Sequence, residues 1–163
     1  MNIEEFWRLI ENSKRGVDDC DEQSQRLSEL LAELEPLEIE GFDTIMRQQL
    51  IEAYRWDLWA AAYIINGGCS DDGFEYFRGW LIAQGKDYFE AALKNPEDAA
   101  VGVSEGGDVE CESILYVANQ AYEEKTGSAM PLTDIKYPAE PKGQSWDEDQ
   151  VEELYPKLSQ RFG

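Results

Sequence analysis

Apolar residues recur along this chain at every third or fourth position, the spacing of one face of an α-helix. Phe6, Trp7, Leu9 and Ile10 form the first stripe, opened by an Asn2–Glu5 capping box and broken at Gly16. Leu27, Leu30, Leu31 and Leu34 form the second, with Asp19 or Asp21 as its cap. Pro36 ends that helix and suits the first turn of a third, which carries Ile39, Phe42, Ile45, Met46, Leu50 and Tyr54. From Trp56 to Ile65 the pattern changes. The stretch is apolar nearly all round except for Asp57, which predicts a buried central helix closed by Gly67-Gly68 as a left-handed cap. Ser70 then predicts an N-cap, with Asp71 and Asp72 in the first turn and Phe74, Phe77, Leu81 and Ile82 as the stripe before Gly85.

Beyond Gly85 the signals weaken. A short helix is expected over Asp87–Leu93 and a loop over Val101–Gly107. Asp108 is the expected cap of a helix whose core face is Ile114, Leu115, Val117, Ala118, Ala121 and Tyr122. Residues 128–144 hold Pro131, Pro138, Pro141 and Gly143 and read as an extended, irregular connector. Ser145-Trp146-Asp147-Glu148 reads as a capping box that opens a last, acidic helix, interrupted at Pro156 with at most one turn beyond. No stretch alternates as a strand, and no internal repeat is present. The expectation is an all-α fold: a single globular multi-helix domain, its core in 1–127, with a Pro-rich connector and acidic C-terminal helix in 128–163 packed on that core.

Charge narrows the partners. The chain of 163 residues has 35 acids against 14 bases, a net charge of −21. Residues 1–94 hold 20 acids and 9 bases, a net of −11; residues 95–163 hold 15 and 5, a net of −10. The acidity therefore belongs to the whole body and is not a tail. Such a surface repels phosphate backbones and anionic lipid, so neither nucleic acid nor membrane is an expected partner. Solubility explains it most simply, and a basic protein partner is the functional reading. The start, Met-Asn-Ile-Glu-Glu-Phe-Trp, lacks the basic and apolar regions of a secretory signal, and three scattered cysteines suggest reduced thiols and a cytoplasmic location.

The chain has no histidine. That removes Ser-His-Asp and Cys-His catalysis, His-ligated zinc and imidazole proton shuttles. Cys69, before a helix start, has no histidine base and two acidic neighbours, so it reads as an inert thiol.

The remaining constellation is Asp57, Ser70, Asp71, Asp72, Glu75 and Arg78. A buried carboxylate is costly unless paired, and Arg78 is the only base between Arg55 and Lys86. The structural reading pairs Asp57 with Arg78, or lets Asp57 cap the Gly67–Asp71 turn, while Asp71 and Asp72 complement the helix dipole. Two functional readings compete with it: a divalent-metal or acid–base site built from the carboxylates, and a polar pocket for a basic side chain or small ligand. The Trp56, Trp59 and Trp80 set reads as core packing.

Trp-Asp-Leu-Trp-Ala-Ala at 56–61, followed by Gly-Gly-Cys-Ser-Asp-Asp-Gly-Phe-Glu-Tyr-Phe-Arg-Gly-Trp-Leu-Ile at 67–82, resembles the bacterial domain of unknown function 4240 family. The Phe6-Trp7 start fits the same resemblance, which covers roughly residues 1–125. It implies a predominantly helical domain and carries no activity, cofactor or catalytic residue to transfer. The function expected from these readings is a protein-interaction module, of immunity or regulatory type, that binds a basic partner. The alternative is a carboxylate-based metal-binding protein or hydrolase using Asp57, Asp71, Asp72 and Arg78. No cofactor is expected.

Overall fold

Local cap chemistry sets where most helices begin and end. The computed structural model describes all residues, 1–163. Asn2 Oδ1 accepts the Glu5 amide at 2.9 Å and starts α1 (Ile3–Lys14). Asp19 Oδ1 accepts the Asp21 amide and starts α2 (Cys20–Ala32). Pro36 occupies the first turn of α3 (Pro36–Glu52), where its missing N–H costs nothing. The next helix, α4 (Trp56–Asn66), ends at Gly67 with φ +66°, a left-handed position that glycine adopts without strain. Ser70 Oγ accepts the Gly73 amide at 3.1 Å and starts α5 (Asp71–Ala83). Then come α6 (Lys86–Lys94), 3-10 turns at Pro96–Ala100 and Ser113–Tyr116, α7 (Val117–Thr126), α8 (Val151–Leu154) and α9 (Pro156–Phe162). No strand is present, and the fold is all-α.

The apolar stripes meet in one core. Phe6, Ile10, Leu27, Leu31, Phe42, Leu58, Phe74, Phe77 and Phe89 are all within 1% of complete burial. Each such side chain contributes about 1.5–3 kcal/mol relative to leaving it in water. Within this core α2 packs on α1 and α7, α3 on α5 and α7, and α4 on α8 and α9. The C-terminal residues thus lie against α4, with Val151 and Leu158 buried in the same core.

Several sequence expectations change. Cys20 and Cys111 form a disulfide across 91 residues, with Cα atoms 5.7 Å apart, so only Cys69 is a free thiol. The pairing is tertiary: the N-terminal part of α2 lies against Cys111 and Ser113, and nothing in the spacing announces it. It removes the reduced-thiol argument for a cytoplasmic location; what the helices show is that none is long and apolar enough to cross a membrane. Asp108 caps no helix. Residues 108–112 run without helical structure, held by the Cys111 amide donating to the Tyr76 carbonyl at 2.9 Å. Ser145 caps no helix either, because Trp146 is drawn into an aromatic cluster on α4 and helix begins only at Val151. After Pro156 the chain makes a seven-residue helix, longer than the single turn expected.

Candidate functional site: the start of α4 and the outer face of α5

Arg55 enters α4 in extended backbone, which leaves main-chain groups on either side of it open for pairing. Lys142, far along the chain, uses them: its N–H donates to the Tyr54 carbonyl at 3.0 Å and its C=O accepts from the Trp56 amide at 2.9 Å. The aromatic side chains stack alongside. Trp56 lies parallel to Trp59 with centroids 5.3 Å apart, and Trp59 lies parallel to Phe74 of α5 at 5.0 Å. Trp146 meets Trp56, Trp59 and Tyr63 edge-on, and its Nε1–H donates to the Trp56 carbonyl at 2.7 Å. Trp59 Nε1–H donates to the Cys69 carbonyl at 2.9 Å. The tryptophans are therefore core packing on one side and a covered face on the other.

Arg78 is 1% exposed, the largest fully buried side chain, and no carboxylate pairs with it. Its Nη1 donates to the Leu50 carbonyl at 2.6 Å and its Nε to the Phe74 carbonyl at 3.3 Å. The guanidinium lies 4.7 Å from the ring centroids of both Tyr54 and Phe74, and 5.9 Å from that of Tyr137. Carbonyl dipoles and ring faces thus replace the hydration shell. The expected Asp57–Arg78 pair does not form. Asp71 comes nearer in chemical terms, accepting the Tyr54 hydroxyl at 3.0 Å. Burial first, then that hydrogen bond, pushes the Tyr54 phenol above its ordinary range. Burial also pushes the Cys69 thiol up to about 12, which supports its reading as inert.

Asp57 belongs elsewhere. Its Oδ2 pairs with Arg55 Nη2 at 3.2 Å, and its side chain is 42% exposed, not buried. Its Oδ1 is enclosed with no hydrogen-bond partner. Asp57 and Arg55 form one wall of a cleft of about 550 Å³ whose other wall includes Lys142, Trp146 and Tyr155. Tyr155 donates its hydroxyl to the Asp57 carbonyl at 3.0 Å.

Asp72 and Glu75 sit on the outer face of α5 beside Tyr76. Residues 110–112 are brought against that face by the Cys111–Tyr76 backbone bond and by Gly79. A Cβ at Gly79 would lie 2.8 Å from the Cys111 carbonyl oxygen, so no larger residue permits the approach. Burial first, and then the charges of Glu112, Asp72, Glu75 and Glu110, raise the Tyr76 phenol. Tyr116 donates to Glu112 Oε2 at 2.8 Å, and that bond is the first cause that lifts its phenol to about 12. No lysine or arginine forms an ion pair with any of these four carboxylates. Of the expected set, then, Ser70 is a cap, Asp71 and Arg78 share the Tyr54 cluster, Asp57 faces the cleft, Asp72 is exposed and Glu75 is half-buried. No three acids or thiols converge in a geometry that would hold a metal ion.

The model of the family described as "Protein of unknown function (DUF4240)" matches residues 1–124. The chain belongs to the DUF4240 family. Neither a curated protein nor a solved structure matches it. The DUF4240 match holds every residue of the acidic face and of the Tyr54–Arg78 cluster except Tyr137. It stops short of Tyr137, Lys142, Trp146 and Tyr155, the residues that cover α4. Sequence reasoning missed those four, along with Glu110, Glu112 and Tyr116. The signal for the first group was three isolated aromatics, Tyr137 within the proline-rich stretch and Trp146 and Tyr155 after it; Lys142 had none. For the second there was none, since only the tertiary fold brings residues 110–112 to α5.

Proposed function

We propose that this protein is a protein-interaction module that binds a basic partner through the face of Asp72, Glu75, Tyr76, Glu110, Glu112 and Tyr116. The observation that carries this reading is that the Cys111–Tyr76 backbone bond pins Glu110 and Glu112 to α5 beside Asp72 and Glu75, with no ion pair to any of these four carboxylates. Like charges in proximity repel, and here the backbone bond at Cys111, the contact at Gly79 and the Cys20–Cys111 disulfide hold them together. A partner's arginine or lysine relieves that repulsion and gains the ring faces of Tyr76 and Tyr116. The net charge of −21 steers such a partner from a distance.

The test is affinity capture from lysate of the organism that encodes the protein, with wild type and a Glu110→Lys/Glu112→Lys variant as baits. The reading predicts a basic protein retained by wild type at low salt, released as salt rises, and absent from the variant. Equal recovery on both baits, or no basic protein on either, contradicts it.

A further inference from the structure

We propose that the face formed by Tyr54 and the α4 residues Trp56 and Trp59 is a docking groove for an extended, proline-containing polypeptide with two aromatic anchors, which residues 137–146 of the same chain fill in cis. The groove is separate from the acidic face, and its chemistry is read from its present occupant. Tyr137 sets its ring edge-on to Tyr54, with centroids 6.1 Å apart, and closes one side of the Arg78 enclosure. Lys142 adds one rung of parallel backbone pairing, in the manner of a strand added to an exposed edge. Its ammonium reaches Glu52 at 3.6 Å. Trp146 supplies the second anchor, nine positions after Tyr137, and ties its indole N–H to the Trp56 carbonyl. Pro138 and Pro141 lie between the anchors and favour the extended backbone that this path requires.

Two observations mark the occupant as exchangeable. First, the DUF4240 match ends at residue 124, so the groove lies inside the family's domain and its cover lies outside. Second, residues 128–141 make no backbone–backbone hydrogen bond, and Leu132 within them is 96% exposed. The segment is thus tethered at Thr126, touches the core through the half-buried Met130, and is seated from Tyr137, itself 37% exposed, onward. Held by such a tether, it competes with any incoming peptide at an effective concentration of roughly millimolar. A free peptide of the same chemistry binds well only when the cis anchors are removed.

The probe is a fluorescein-labelled peptide of residues 134–146, which carries two acids and two bases and so avoids general repulsion from the acidic body. Fluorescence anisotropy compares full-length wild type with full-length Tyr137→Ala/Trp146→Ala. The expected result is binding to the variant tighter than to wild type by roughly tenfold or more, the margin set by loss of the tethered competitor. A peptide with alanine at both aromatic positions binds neither. Equal affinity for the two proteins, or no binding by a variant that keeps the wild-type circular dichroism, overturns the proposal. Should the variant lose its fold, hydrogen exchange on wild type decides. The amides of Trp56 and Lys142 are expected to exchange well ahead of the Ala61 amide, and protection equal to that of Ala61 overturns the proposal. A dimer in which two copies exchange this segment also overturns it, since the groove is then reserved for its own chain.

Discussion

Arg78 shows how one residue both organises and constrains this molecule. Its oddness was legible in the sequence, a single base within an apolar stretch. Its environment was not, because the expectation assumed a carboxylate partner. The fold instead supplies the Leu50 and Phe74 carbonyls and three aromatic rings. Arg78→Lys is therefore expected to lower the unfolding free energy by about 2 kcal/mol, measured by urea denaturation. An ammonium lacks the planar fork that bonds and stacks at once, and it leaves a buried carbonyl unpaired. Titration gives a second expectation at this scale. Burial raises Cys69 from an ordinary 9.0 to about 12, and raises Tyr155 from 10.0 to about 12. The folded state then keeps protons that the unfolded chain loses, so stability falls as pH rises from 9 to 12. Thermal melts across that range should show the decline, with Cys69→Ser delaying its onset to about pH 10.

Among the elements, those whose limits depend on neighbouring residues were readable in advance. Asn2, Asp19, Pro36, Gly67 and Ser70 each act within a turn of the helix they start or stop, so their meaning is local. The starts of the 108–116 and 145–162 segments were misread because distant contacts decide them. Trp146 gains more against Trp56, Trp59 and Tyr63 than a capping box at Ser145 would offer, and residues 110–112 are pinned to α5 and α2. The disulfide is the strongest of these distant links. Closing a loop of 91 residues in the unfolded chain, it is expected to stabilise the fold by about 2–5 kcal/mol. Cys111→Ser and wild type in dithiothreitol should show the same loss in denaturant titrations, and reductant should not weaken the variant further.

For the whole molecule, net charge was the clearest feature of the sequence. Four acids, Glu11, Asp43, Glu52 and Asp57, form ion pairs, out of 35 in the chain. The rest leave the exterior broadly negative, which alone would attract any cation weakly and everywhere. Recognition of a basic partner, as proposed, is instead focused where residues 110–112 meet α5. The most direct test is a chemical-shift titration of the isotope-labelled protein with a short arginine-rich peptide, followed amide by amide. The account predicts shifts concentrated at Asp72, Glu75, Tyr76, Glu110, Glu112 and Tyr116 and suppressed by salt. Shifts spread evenly over the acidic surface, or absent from these six residues, would contradict it.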